Sequence, residues 1–358
     1  MIRLGIIGLP SSGKTTIYNM LSGADLPVGP SGAAARFEVH TATVDVPDSR
    51  LDRLSDLLNP NKKTYTKVVY ADVGGFQVEA RSTELPGPVV NQLEQVDGFL
   101  HVVRAFDDPA VPHPAGSVDP ERDITTLETE FLLHDMLMVE RRLERLAEER
   151  QKGGRDRAVI DREMALFERL GAVLEDGTPL REYEIKPEEK EALSGYGLLS
   201  GKPVLIVVNQ AEGQDAAHIE SHSDRMCVMQ LYGKLEMEIA QLSNEEAREF
   251  LEEYGIQESG REAIVRTSFD LLDLLSFFTV NESEARAWTL ERGSSVLEAA
   301  ASIHSDMARG FIRAEVIAWD ALIELGGLAP ARAEGKLRLE GKDYIVEDGD
   351  VIYVRFNV

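Results

Sequence analysis

The chain has 358 residues, with 38 Lys and Arg against 63 Asp and Glu, a formal net charge of −25, and 43% hydrophobic residues. At about 150 residues per domain this length implies two or three domains with real cores, and the composition excludes disordered, collagenous and membrane classes. The acidic excess opposes non-specific attraction to a phosphate backbone, so a nucleic-acid partner has to be met by a local patch.

Taken in chain order, Arg3 to Ile7 is a short apolar run ending at a glycine turn and reads as a buried strand, with a helix expected from Lys14. Val68 to Ala71, Phe99 to Val103 and Val204 to Val208 are further candidate buried strands that alternate with helical stretches. That alternation implies an α/β fold with a parallel sheet. The pattern breaks over 121–195, where Leu132, Met136, Val139, Leu143 and Leu146 recur at spacings of 4, 3, 4 and 3, a coiled-coil-like seam. After the Gly153-Gly154 interruption, Ile160, Met164, Phe167, Leu170 and Leu174 resume helical spacing, so two antiparallel helices are expected to form a projecting hairpin. Its 13 basic and 20 acidic residues describe a solvated arm, with Arg141, Arg142 and Arg145 as the main basic cluster.

The last ~75 residues predict a strand at Arg286 to Leu290, a helix at Val296 to His304, and strands at Gly335 to Leu339 and Asp350 to Phe356, a small α+β module. The expected division is a nucleotide-binding domain over 1–120 and 200–280, a helical insertion over 121–199 and the α+β domain over 281–358. The single cysteine, Cys227, excludes an intramolecular disulfide framework and a Cys-based zinc site, and is read as a small core hydrophobe. The N-terminal apolar run is too short for a signal peptide, and no stretch approaches the ~18–20 apolar residues of a membrane span. A cytoplasmic monomer without a membrane partner is expected.

Gly8-Leu9-Pro10-Ser11-Ser12-Gly13-Lys14-Thr15 satisfies G-x-x-x-x-G-K-[ST] between a predicted strand and a predicted helix. In such a loop the Gly8, Pro10, Ser11, Ser12 and Gly13 backbone wraps phosphates, with Thr16 following in the helix. Lys14 reaches the β- and γ-phosphates and the Thr15 hydroxyl ligates Mg²⁺. Asp72, in Asp72-Val-Gly-Gly75 at the end of a predicted strand, reads as the second Mg²⁺ residue, and the Gly75 N–H as a γ-phosphate donor. The strand from Pro203 ends in Asn209-Gln210-Ala211-Glu212, where N-K-x-D would signal guanine; Asn209 and Glu212 are therefore read as purine contacts without clear guanine specificity. His101 and His304 are read as structural.

These motifs resemble the YchF family of Obg-like ATPases, a branch of the P-loop GTPases, over nearly the whole chain. The likeness includes His101-Val-Val-Arg-Ala-Phe106, Val118-Asp-Pro120, the Arg141-Arg142 arm, and the tail from Gly310 through Asp348-Gly-Asp-Val-Ile-Tyr-Val-Arg-Phe. The resemblance implies a Ras-like P-loop NTPase domain interrupted by an antiparallel coiled-coil arm and followed by a TGS domain, with ATP preferred to GTP and the ribosome or RNA as partner. It also implies Phe76 in place of the water-positioning Gln, with His113 as the candidate replacement, and a nucleotide contact from Tyr232-Gly233. The chain departs from the family in both switches, with Arg36 near the place of the Mg²⁺-sensing Thr and a bulky, Pro-containing stretch after Asp72-Val-Gly-Gly75, so it reads as a divergent member. The expected function is a slow Mg²⁺-dependent ATPase switch. The alternatives are a hydrolysis-impaired, nucleotide-gated ribosome- or RNA-binding module and a GTPase.

Overall fold

The computed structural model describes residues 2–28, 40–73, 85–193, 195–214, 219–253 and 258–357. The chain opens with β1 (Ile2–Ile7), α1 (Lys14–Ser22), β2 (His40–Asp45), α2 (Ser49–Leu58), β3 (Lys62–Thr64), β4 (Lys67–Asp72), α3 (Gly87–Glu94) and β5 (Gly98–Arg104). Next come α4 (Pro120–Lys152), α5 (Arg157–Glu175), α6 (Pro187–Leu193), β6 (Val204–Asn209), β7 (Met226–Leu231), α7 (Gly233–Ile239), α8 (Asn244–Glu253) and α9 (Gly260–Leu271). The remainder forms β8 (Leu274–Val280), β9 (Glu284–Glu291), α10 (Val296–Ile303), α11 (Ser305–Arg309), β10 (Phe311–Ala318), α12 (Trp319–Glu324), α13 (Leu328–Ala333), β11 (Arg338–Glu340) and β12 (Asp350–Phe356). No helix among the described residues is long and apolar enough to cross a membrane.

The first sheet has the order β2-β4-β1-β5-β6-β7, and the pairs β1–β5, β5–β6 and β6–β7 are parallel. β5 and β6 are buried along their whole length, which is why they read as unbroken apolar runs rather than alternating ones. The four strands expected from such runs all form. β1 sits centrally, so the loop leaving its C-terminal end lies where parallel α/β sheets hold ligands.

The seam residues of α4 and the stripe of α5 meet in one core, with Val139, Leu146, Ile160, Phe167, Leu170 and Leu174 buried and Leu132, Met136, Leu143 and Met164 packed against them. Ion pairs Arg142–Glu163 and Arg150–Asp161 fix the helices antiparallel, since the partner number falls as the first rises. Gly153 (φ 70°) and Gly154 (φ 113°) make the turn. The N-terminal part of α4 belongs to the sheet core through Ile124, Leu127 and Phe131. Further along, the fully buried Asp135 carboxylate accepts hydrogen bonds from the Leu199 and Ser200 N–H groups and the Ser200 hydroxyl at 2.6–2.8 Å. The helical segment and the sheet therefore form one compact unit, residues 1–43 and 69–261.

The second unit comprises 44–68 and 262–358, so it starts earlier than the expected boundary at 281 and takes a segment from the N-terminal half. Two pairings explain the difference. β8 pairs with β9 along its length and also joins β12, while β3 pairs in parallel with β9. Leu51 and Leu54 of α2 are buried with Phe278, Ile317 and Val351. The six-stranded sheet has the order β11-β10-β12-β8-β9-β3, covered on its other face by α10 through Val296 and Ala299. β8 and β10 were not among the expected strands, and β11 starts at Arg338 rather than Gly335. Cys227 lies within β7 and is partly buried.

Asp135→Ala should destabilise the first unit by about 2–4 kcal/mol, because it leaves two buried backbone donors unsatisfied and removes charge-assisted hydrogen bonds. Thermal and denaturant unfolding of the full chain measures this, and a shift under 0.5 kcal/mol would show that the pin is dispensable.

Candidate nucleotide site

The loop from β1 to α1 is built on three unusual backbone positions. Gly8 has φ 145°, and a Cβ there would lie 2.3 Å from the Val102 carbonyl of β5, so only glycine lets the loop pass so close. Ser11 (φ 63°) and Gly13 (φ 102°) turn the chain so that α1 begins at Lys14. No side chain caps the N-terminus of α1, so its first-turn amides and the positive end of its dipole are left for an anion.

Within this cradle the Lys14 ammonium donates to the carbonyls of Gly8 (2.9 Å) and Leu9 (3.0 Å). Burial pulls its pKa down to about 8, with the Asp72 charge opposing the shift. Asp72, at the end of β4, has its own pKa raised by burial, with Lys14 and His40 pulling the other way. The two charges therefore belong to one electrostatic site. Asp72 Oδ1 and Ser12 Oγ are buried without a hydrogen-bond partner. An unpaired carboxylate oxygen beside a lysine is a hard-oxygen donor of the kind that suits Mg²⁺, which keeps several waters and shares its shell with phosphates.

Asn209, at the end of β6, is 4% exposed, and its amide is engaged on both sides. Nδ2 donates to Ser12 O at 3.0 Å, and Oδ1 accepts from Gly233 N at 3.2 Å. The side chain thus ties the phosphate loop to the start of α7. Both glycines are dictated by its approach: a Cβ on Gly13 would lie 2.1 Å from Nδ2, and one on Gly233 2.6 Å from Oδ1. An amide has two N–H donors, so one N–H of Nδ2 is left after the bond to Ser12 O. Glu212 is exposed beyond the same strand, Tyr232 is 43% exposed at the N-cap of α7, and Thr16 is buried in α1. Gly75, Arg36 and Phe76 lie outside the described residues.

His113 is not an open group of its loop. Its buried imidazole has Nε2 2.8 Å from Asp123 Oδ2 in the first turn of α4, while Nδ1 accepts the Ala115 N–H at 3.1 Å. An acceptor Nδ1 makes Nε2–H the donor to the carboxylate. Arg122 donates to the other Asp123 oxygen through Nε and Nη2. His101 is buried in β5 and kept neutral, its pKa pulled down to about 3 by burial and then by Lys14 and Arg181, which fits the structural reading. His304 caps α11 by accepting the Asp306 N–H.

Sequence reasoning passed over Arg104. It ends β5 fully buried, lies 4.4 Å over the Phe106 ring, and donates to Phe106 O and Val111 O, thereby shaping the loop that carries His113. The available signal was a cation closing an otherwise apolar strand. The arm's basic cluster is divided, because Arg142 is bound to Glu149 and Glu163.

The sheet order, the glycine-dependent loop and the Lys14/Asp72 pair define a P-loop NTPase fold. Comparison with known proteins places it further. A family model, YchF-GTPase_C, described as a protein of unknown function (DUF933), matches residues 274–357. The chain is 39% identical to the ribosome-binding ATPase YchF of Bacillus subtilis, covering 100% of both chains. It is 32% identical to Obg-like ATPase 1 of rice, covering 100% of this chain and 92% of the relative. The solved structure of the Schizosaccharomyces pombe YchF GTPase superposes with a TM-score of 0.85 at 28% identity, covering 99% of this chain and 97% of the other. The chain belongs to the YchF family.

The Asn209 bridge yields a rescue experiment. Asn209→Ala should cost about 1–3 kcal/mol of stability and weaken nucleotide binding. Gly233→Ala should be harmful alone and much less so in the Asn209→Ala background, whereas Gly13→Ala should remain harmful there because its φ of 102° persists. Nucleotide titration and thermal unfolding of the five variants check this; additive costs throughout would show that Asn209 does not set the spacing.

Proposed function

We propose that the protein is a cytoplasmic, Mg²⁺-dependent purine-nucleotide-binding protein and a slow ATPase, acting as a nucleotide-dependent switch in translation-linked regulation with the ribosome as partner. The observation that carries this reading is the buried Lys14 ammonium, which rests on two loop carbonyls it can exchange for phosphate oxygens. ATP and the ribosome are suggested by the names of the relatives.

In this reading the Gly8 to Gly13 backbone and the α1 amides bind the phosphates, and Lys14 spans the β- and γ-groups. Thr15 and Asp72 would hold Mg²⁺, which when bound neutralises charge on the phosphate oxygens. The free Asn209 N–H faces a purine ring nitrogen, and the Glu212 carboxylate accepts from an exocyclic amino group, as adenine presents. Tyr232 and Gly233 border the base, and Gly75 donates to the γ-phosphate. The α4–α5 hairpin is read as the family's coiled-coil arm, and the C-terminal module as its TGS domain.

His113 is the proposed water-positioning group, and to serve it must leave Asp123. That engagement favours a second reading, a nucleotide-gated binding module in which hydrolysis is impaired. ATP turnover with and without ribosomes separates the two. Lys14→Ala should lower turnover on the order of 100-fold or more. His113→Ala should lower kcat by about 100-fold while nucleotide affinity holds. Turnover at background that neither change affects would leave the binding module, and tighter GTP than ATP binding would overturn the base assignment.

A further inference from the structure

We propose that Asp123 is a positioning residue that acts as a brake on hydrolysis: its carboxylate keeps the His113 imidazole engaged, and turnover requires that bond to open. This regulation rests on the reading of His113 as the water-positioning group.

The brake is built within one short segment, since His113 and Asp123 are 10 residues apart. Gly116, at φ 83°, turns the chain and returns its N–H to the His113 carbonyl at 3.0 Å. Asp119 then caps α4 by accepting the Arg122 N–H. The Arg122 guanidinium is itself anchored, donating to the Ser117 carbonyl at 2.7 Å and the Ser117 hydroxyl at 3.0 Å. Its Nε and Nη2 donate to Asp123 Oδ1 at 3.1 and 2.8 Å, which aims the carboxylate and leaves Oδ2 for the Nε2–H of His113 at 2.8 Å. Both side chains of the His113–Asp123 pair are 4% exposed, so the bond is shielded from competing water.

This geometry stores the histidine rather than presenting it. An imidazole that positions water needs one nitrogen open to that water. Here Nε2 is engaged by Asp123, and Nδ1 is turned back on its own loop, where it accepts the Ala115 N–H at 3.1 Å. The two bonds are unequal. The Ala115 contact is neutral and local, whereas the bond to Asp123 joins the loop to α4 and is charge-assisted, a class about twice as strong as neutral bonds. Asp123 does not depend on the imidazole for charge balance, because Arg122 supplies it. His113 is thus held as a donor, and a change of position frees it without a proton transfer.

Turnover under such a restraint scales with the fraction of molecules in which the imidazole is released. Weakening the hold of Asp123 therefore raises kcat, an outcome that damage to the fold does not produce. KM and nucleotide affinity stay unchanged, because among the described residues the Asp123 carboxylate bonds to His113 and Arg122 and to nothing in the phosphate loop or at Asn209.

The test is ATP turnover by the full chain, without ribosomes, for the unaltered protein, Asp123→Asn, Asp123→Ala, His113→Ala and the double variant His113→Ala/Asp123→Asn. Asparagine keeps an acceptor of the same shape without its charge and should raise kcat about 3-fold; alanine removes the acceptor and should raise it about 10-fold or more. KM should hold in both, and the double variant should turn over at the rate of His113→Ala alone. Thermal unfolding checks that each variant is folded, and if Asp123→Ala is not, Asp123→Asn decides. A kcat at or below the unaltered rate in the folded Asp123 variants, alongside a loss in His113→Ala, would overturn the brake and leave the water-positioning reading standing. A rise that persists in the double variant would overturn the route through His113. His113→Ala without effect would overturn the water-positioning reading, and the brake with it.

Discussion

The first unit depends on one side chain at the end of one strand. Asn209 holds the carbonyl of Ser12 and the amide of Gly233, two backbone groups from segments 221 residues apart, so the phosphate loop and the start of α7 share a single rigid reference. Its amide reaches both only because Gly13 and Gly233 lack a Cβ in its path. The glycine of the motif therefore serves two constraints at once, a φ of 102° that side chains resist and a close approach that they would block. A phosphate loop positioned in this way is organised before a ligand arrives, which reduces the ordering cost of binding.

Around that reference the protein carries polar atoms that its own structure does not satisfy. Asp72 Oδ1 at the end of β4, Ser12 Oγ in the loop after β1 and Arg104 Nη1 at the end of β5 are buried without partners. Each such atom costs on the order of 1–3 kcal/mol when left unpaired. Stability is regained at each when a donor, an acceptor or a cation reaches it. Lys14 shows the complementary solution, satisfied by carbonyls of its own loop and able to trade them for a stronger anionic partner.

What was legible in the sequence followed from periodicity and from motif chemistry. The largely buried strands β1, β4, β5 and β6 read as apolar runs, and the α4–α5 hairpin showed in its spacing and in Gly153-Gly154. The phosphate loop was explicit because its residue types are each demanded by backbone geometry. The second unit was less legible, since its membership is decided by pairing over long separations: β3 joins β9 across more than 200 residues, and nothing local in Lys62-Lys63-Thr64 announces it. Site residues whose side chains could be placed by role still needed coordinates for their partners. That Asn209 is a structural bridge, and that Asp123 holds His113, are facts of three-dimensional neighbours rather than of spacing.

Helix α4 links the His113 loop, the sheet core and the hairpin. Its first turn holds His113 through Asp123, its next turns bury Ile124, Leu127 and Phe131 in the sheet core, and Asp135 then pins the chain just before β6. From Leu132 onward the helix packs with α5 rather than with the sheet core. At 33 residues it is about 50 Å long, and an uninterrupted helix transmits displacement along its axis. The loop bearing His113 is therefore fixed at one end to Arg104, which closes β5, and at the other to the helix that carries the hairpin. Release of the imidazole requires breaking its buried hydrogen bond to the Asp123 carboxylate, and Asp123 belongs to the helix that continues into the hairpin.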